Sequence, residues 1–379
     1  VQIVSKPVYS AGGQVSRFWS DHVSGLSPYV PGEQPRVADL LKLNTNEHPW
    51  GPSPKALAAI KEAADNRLRL YPDPQATALR EVLAEHHGVT PDCIFVGNGS
   101  DEVLAHLFNA LFRRQGRALR MPDITYSFYR SYCKLFGITP ELIPLSDDLS
   151  IRPNDYLPRA DGDLVAGIIF ANPNAPTGRA LPLQDIARIA KANPDIPVVV
   201  DEAYVDFGAE SSVALLEQCA NIVAVHTFSK SRALAGLRVG YVVANPPIVE
   251  GLERVKDSFN SYPLDSLALA GAIASVQDDD YFRQACNAVI NARDTLTRNL
   301  TDLGFKVLPS AANFVFATHP QHDAALLFRA LRKHHILVRH FPLERIDQYL
   351  RISVGTPDDN ERLCKALKTI ITTSHPSSA

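Results

Sequence analysis

Apolar and polar residues follow one another along this chain in blocks of two kinds. Short runs that are apolar at nearly every position occur at 94–97 (IFVG), 164–170 (LVAGIIF), 198–201 (VVVD), 222–228 (IVAVHTF) and 239–243 (VGYVV). Strands without strict alternation bury both faces, as in a parallel sheet covered by helices on either side. Between them, LQDIARIAKA (183–192) repeats its apolar residues at i, i+3, i+4 and i+7 and predicts a helix. Ser53-Pro54-Lys55 predicts the start of another, because a seryl oxygen accepts from the first free N–H groups and proline suits the first turn.

After residue 265 the pattern changes. A long helical stretch over about 266–303 runs to Leu303-Gly304, where glycine suits a helix C-terminus. Strand-like pieces follow at 305–308 (FKVL), 313–318 (NFVFAT), 336–339 (ILVR) and 349–354 (YLRISV), with helices expected near 322–334 and 358–371. These predict a smaller α+β domain. The first 35 residues, rich in Gly, Ser and Pro but carrying Trp19 and Tyr29, read as an arm that packs on something larger. The expected organisation is therefore an arm (1–35), a large α/β domain (53–265) and a small α+β domain made of 36–52 and 266–379.

Composition adds exclusions. A chain of 379 residues with 45% hydrophobic and 21% charged residues is long enough for two or three domains and is not intrinsically disordered. A formal net charge of −3 lacks the basic footprint of a nucleic-acid binder. Cys93, Cys133, Cys219, Cys286 and Cys364 are odd in number and include no C-x-x-C pair, which argues against a disulfide framework and a structural zinc site, so no metal is expected. No secretory leader is apparent in VQIVSKPVYSAGG, and no apolar run approaches the roughly 20 residues of a membrane span. A cytoplasmic location is expected.

Four segments carry candidate chemistry. Lys230, in TFSKSRALAGLR, follows an apolar strand. Burying an ammonium there is costly, so it is either a lysine at an exposed strand end or an amine nucleophile that can form a Schiff base. Ser229 and Arg238 lie close by and are candidates for binding a phosphate. Asp201 ends VVVD, where open α/β sheets place ligands, though a helix-capping aspartate fits the same pattern. NPNAPTG (172–178) is a rigid turn after another strand. Gly97-Asn98-Gly99-Ser100-Asp101 joins a strand to a helix, where backbone N–H groups either cradle an anion or simply cap the helix. Arg339 and Arg351 stand at strand ends in the second domain, each suited to a carboxylate, a phosphate or a surface ion pair.

Taken in order, these segments resemble fold-type-I enzymes that use pyridoxal 5′-phosphate. LNTNEHPWGPSP (43–54), YPDP (71–74), NPNAPTG, DEAYVDF (201–207), SKSRALAGLRVGY (229–241), DSFNSYPLDSLA (257–268) and LRISVGT (350–356) look like histidinol-phosphate aminotransferases, over about residues 40 to 370. The resemblance implies a mostly parallel seven-stranded sheet in the large domain. It implies that Lys230 forms the Schiff base, Asp201 pairs with the ring nitrogen, and Tyr204 hydrogen-bonds the phenolic oxygen. It assigns the phosphate to Gly99, Ser100, Asp101, Ser229 and Arg238, the ring-stacking aromatic to Tyr126, and the substrate anions to Arg339 and Arg351. It makes Tyr71 a contact to the neighbouring subunit's phosphate, hence a homodimer with a shared active site, acting on small molecules in ping-pong fashion. Ala175 replaces the usual second asparagine of NPNNPTG, leaving Asn174 as the candidate cofactor contact. His48 and Trp50 replace the common Asn and Tyr of that segment, near the expected substrate entrance. The reaction implied is amino transfer between histidinol phosphate and 2-oxoglutarate. An aromatic amino acid aminotransferase, a threonine-phosphate decarboxylase and a cofactor-binding regulatory module are the alternatives; the last needs a DNA-binding segment, and neither flank reads as a helix-turn-helix.

Overall fold

Successive residues of the central strands point into two different cores. Ile168, Phe170, Val198 and Val200 belong to one buried cluster, and Ile169, Val199, Val223 and Val225 to the other. Both faces of the sheet are thus covered, which accounts for the uninterrupted apolar runs. The computed structural model describes residues 16–26, 32–33, 35, 39–159, 162 and 164–373; the first 15 residues and Tyr29 of the expected arm lie outside them.

The strands are β1 (Leu41–Lys42), β2 (Ile94–Asn98), β3 (Ala118–Pro122), β4 (Thr139–Ile143), β5 (Val165–Ala171), β6 (Val198–Asp201), β7 (Ile222–Thr227) and β8 (Val239–Ala244). The seven from β2 to β8 form one sheet in the order β2-β8-β7-β6-β5-β3-β4. Only β8 runs against its neighbours; the other pairings are parallel. This is the expected α/β architecture. The sequence pattern missed β3 and β4. Fully buried Arg120 of β3 stands opposite Glu141 of β4 and bonds it at 3.0 Å, so an ion pair interrupts the apolar pattern of both.

A second sheet of four strands follows: β9 (Lys306–Val307), β10 (Phe314–Thr318), β12 (Arg339–His340) and β13 (Leu350–Ser353), in the order β12-β13-β10-β9. The run ILVR divides between two sheets, because β11 (Ile336–Leu337) pairs instead with β1 in parallel. Leu41 and Leu43 are buried with Leu300, Val315, Leu331, Ile352 and Leu363 in the core of this unit.

The helical stretch after residue 265 is two helices, Ser266–Gln277 and Asp279–Asp302. Asp278 breaks them with φ −99° and ψ 62°. Its carboxylate accepts from Ser53 Oγ at 2.5 Å and pairs with Lys55 at 2.8 Å, so two parts of the chain meet at the break. The expected domain boundary falls at the start of the first of these helices, which buries Ala268, Ala272 and Val276 against the large sheet's core. Pro54–Ala63 begins as expected, with Ser53 Oγ accepting from the N–H groups of Lys55 and Ala56.

Candidate active site

The carboxyl ends of β5, β6 and β7 share one edge of the large sheet, and antiparallel β8 begins at that edge. Open α/β sheets bind ligands at such an edge. Here it presents Asp201 at the end of β6, the turn Phe228–Arg232 after β7, and Arg238 just before β8. The helix Gly99–Leu107, which follows β2, points its amino end at the same place.

Two adjoining chambers lie above this edge. The inner one, about 140 Å³, is lined by Ser100, Asp101, Tyr126, Asp201, Tyr204, Ser229, Lys230 and Arg238, with Ala171, Ala175, Ala203 and Thr227. At one end, Arg238 donates from Nη1 to Ser229 Oγ (3.2 Å) and from Nη2 to Asp101 Oδ2 (3.0 Å). Tyr126 donates to the other oxygen of Asp101 at 3.2 Å. Gly99 has φ +77°, and a Cβ there would run into the Arg238 guanidinium. A Cβ on Gly240 would strike the backbone of Gly99 and Ser100. The helix terminus and the arginine therefore close around a small site with exposed N–H groups and a cation, the physical requirement for a phosphate.

At the other end, buried Asp201 accepts from Tyr129 Oη at 2.7 Å and from the Ala203 N–H at 3.2 Å. Burial lifts its carboxyl to about 6, against the pull of those two bonds. The same burial, with the adjacent carboxylate, pushes the Tyr129 phenol well above its ordinary range, so this hydroxyl is a donor at any working pH. A carboxylate so enclosed suits a cationic ring nitrogen. Lys230 Nζ lies 5.6 Å from the centre of the Tyr204 ring and donates to the Thr45 carbonyl at 3.2 Å. Tyr204 Oη accepts from Asn46 Nδ2 at 3.0 Å. An anion cradle, a lysine amine, a phenol and a buried carboxylate thus line one cavity, and this donor set fits a phosphorylated pyridine aldehyde.

The outer chamber, about 370 Å³, shares Tyr126, Ala175, Tyr204 and Lys230 with the inner one. Arg339 and Arg351 both line it, with Phe341 at 5.5 Å from the first guanidinium and 5.4 Å from the second. Arg351 Nη2 also donates to the Asn44 carbonyl at 3.0 Å.

Some expected site residues stand elsewhere. Asn174 lines neither chamber: its amide donates to the Ile124 carbonyl (3.0 Å) and to Thr177 (3.2 Å) and accepts from Thr125 (2.9 Å). Its side chain ties the turn to residues 124–125, and Ala175 is the one facing both cavities. His48 and Trp50 also line neither chamber; His48 Nδ1 meets Trp50 N and O, and its ring faces Phe207. Tyr71 is 83% exposed, stacks on Tyr262 at 4.7 Å and lines neither chamber. The sequence reading missed Tyr129 and Asn46. Tyr129 follows Tyr126 by three residues at a helix start, a spacing that puts both rings on one side.

Comparison with known proteins agrees with this geometry. Residues 38–367 match the family model of aminotransferase class I and II, and the chain belongs to that family. It is 58% identical over 358 residues to histidinol-phosphate aminotransferase of Aromatoleum aromaticum, spanning 94% of this chain and 100% of that one. It is 59% identical over 356 residues to histidinol-phosphate aminotransferase 1 of Bordetella parapertussis, spanning 94% and 99%. The solved structure of histidinol-phosphate aminotransferase from Sinorhizobium meliloti, in complex with pyridoxal-5'-phosphate, superposes with a TM-score of 0.85 at 25% identity, covering 95% of this chain and 99% of that one. L-threonine-O-3-phosphate decarboxylase from Porphyromonas gingivalis gives a TM-score of 0.71 at 25% identity, covering 88% and 100%.

Proposed function

We propose that this chain is a pyridoxal 5′-phosphate-dependent aminotransferase that moves an amino group between histidinol phosphate and 2-oxoglutarate, in histidine biosynthesis. The observation that carries the reading is the opening of the Lys230 cavity into a chamber holding Arg339 and Arg351. Bound in the inner chamber, the cofactor supplies an electron sink for the charge left on the substrate carbon when its proton departs. The chain supplies the rest. Gly99, Ser100, Asp101, Ser229 and Arg238 hold the phosphate, with the Asp101 carboxylate fixing Arg238. Asp201 keeps the ring nitrogen protonated, Tyr126 covers the ring, and Tyr204 Oη orients the phenolic oxygen. Lys230 Nζ would anchor the cofactor and, once released from it, would carry the proton taken from the substrate carbon, as a general base and acid. Arg339 and Arg351 orient either anionic substrate, so the two enter one chamber in turn.

The same reading makes the enzyme a cytoplasmic homodimer. Among the described residues no helix is long and apolar enough to cross a membrane. Leu68, Leu70, Tyr71, Phe259 and Tyr262 are exposed apolar residues, two of which, Tyr71 and Tyr262, stack on each other, and exposed apolar side chains of this kind suit an interface. Tyr71 would reach the partner's phosphate across it. The reading keeps a small domain within 36–52 and 266–379, although the helix Ser266–Gln277 packs on the core of the large sheet.

The test is an absorbance spectrum of the purified holoenzyme before and after histidinol phosphate, without any keto acid. A yellow band that gives way to the amino form of the cofactor supports the reading. A band that responds instead to phenylalanine or tyrosine points to an aromatic aminotransferase, and carbon dioxide release from threonine phosphate to a decarboxylase. A protein that takes up no cofactor overturns all three.

A further inference from the structure

The outer chamber has a third arginine that the motifs do not assign. Arg130 lies in the first turn of the helix Phe128–Phe136, the helix that also carries Tyr129. It lines the chamber together with Arg339 and Arg351, but it comes from the large domain and they come from the small sheet. One guanidinium nitrogen donates to the Asp123 carbonyl at 2.7 Å, which fixes the head group at the cavity wall. Among the described residues Arg130 has no carboxylate partner. Asp123, the one carboxylate lining the chamber among the described residues, is already engaged: Oδ2 with Arg345 at 3.0 Å and Oδ1 with the Leu145 N–H at 2.9 Å. Three arginines (Arg130, Arg339 and Arg351) therefore line the chamber, from two different parts of the fold. A phosphate monoester carries about −1.5 to −2 at pH 7 and offers three acceptor oxygens, which arginines bind in forks.

We propose that Arg130 is a specificity-determining residue that closes the phosphate-binding side of the chamber, and that it separates the phosphorylated substrate from the dicarboxylate one. The inference rests on the proposed transamination of histidinol phosphate and deepens it. Arg130 is exposed at the mouth, where salt screens its charge, so its contribution is smaller than that of a buried guanidinium.

The test is steady-state kinetics of the holoenzyme with Arg130→Gln and Arg130→Lys. In the glutamine variant KM for histidinol phosphate rises about tenfold, a factor that corresponds to about 1.4 kcal/mol. KM for 2-oxoglutarate changes by less than a third of that factor, and kcat falls less than KM rises. The lysine variant recovers part of the loss. Competitive inhibition by inorganic phosphate weakens in the glutamine variant by a similar factor. Unchanged phosphate inhibition and unchanged KM for histidinol phosphate overturn the proposal, and so does an equal loss for both substrates. If wild-type holoenzyme ignores histidinol phosphate, the functional reading fails instead, and phosphate inhibition with whatever amino donor the enzyme accepts still tests Arg130.

Discussion

Replacing Tyr129 by phenylalanine removes one oxygen and almost no volume, which isolates a single hydrogen bond. That bond, 2.7 Å to Asp201 Oδ2, is made where both partners are buried. Burial raises the Asp201 carboxyl to about 6, and the bond from Tyr129 is the first of the influences holding it lower. A hydrogen bond to a charged group contributes about 1.5–3 kcal/mol, and 1.36 kcal/mol corresponds to one pKa unit. Without the bond the carboxyl should move to roughly 7–8. The sign follows from the charged form. Asp201 must be a carboxylate to pair with a protonated ring, so cofactor affinity falls as pH drops through the carboxyl's midpoint in the empty protein. For the wild type that loss should centre near pH 6; in Tyr129→Phe it should centre one to two pH units higher, by the same estimate. Folding shows the opposite linkage. A carboxyl raised in the native state gives its full stability below its unfolded value of 3.8 and loses it as pH climbs to about 6, so the empty protein is weakest above that range. The assay is a titration of cofactor into stripped enzyme from pH 5 to 9, followed by absorbance, with circular dichroism to show that the variant is folded. A folded variant whose midpoint stays where the wild type's is, or moves down, refutes the reasoning.

Lys230→Ala should abolish turnover and the visible band of covalently bound cofactor while the cofactor still binds through the phosphate cradle; residual turnover above background would show that another amine does the work. Gly240→Ala places a methyl against the backbone of Gly99 and Ser100, so it should lower stability by about 1–3 kcal/mol and weaken cofactor binding, seen as a lower melting temperature and faster loss of yellow colour on dialysis. Tyr71→Phe should speed cofactor loss from the dimer without altering the spectrum of what remains bound; a structure of the dimer with Tyr71 remote from the partner's chamber would end that assignment.

What the sequence made legible is what lies in short, continuous segments. The cradle is a strand, a glycine turn and a helix start within residues 94–107, and the Lys230 turn and Asp201 are each attached to a strand recognisable by its apolar run. The strands that escaped notice, β3 and β4, hide an ion pair between Arg120 and Glu141, and no single-segment pattern anticipates that a buried arginine will find its partner 21 residues away. Tyr129 meets Asp201 across 72 residues, and Asn46 meets Tyr204 across 158; such contacts exist only once the sheet has brought the segments together. The motif NPNAPTG was legible as a turn but not in its orientation. Asn174 looked like a cofactor ligand because its type fits, whereas the loop itself uses the amide. The resemblance put His48 and Trp50 near the substrate entrance, yet packing turns the His48 ring toward Phe207 and Trp50 against His48.

The segment 43–46 has a mechanical significance beyond its length. Ser353 holds it at both ends, donating its N–H to the Leu43 carbonyl and bonding Asn46 N and Oδ1 through its hydroxyl. Arg351, two residues earlier on the same strand, grips the Asn44 carbonyl, while Thr45 and Asn46 touch Lys230 and Tyr204. An anion that draws on Arg351 therefore tugs a tether whose far end sits on Lys230 and Tyr204. The outer chamber is thereby joined to the inner one through four consecutive residues of the chain, so an inert anion held by Arg351 should shift the absorbance of the resting holoenzyme.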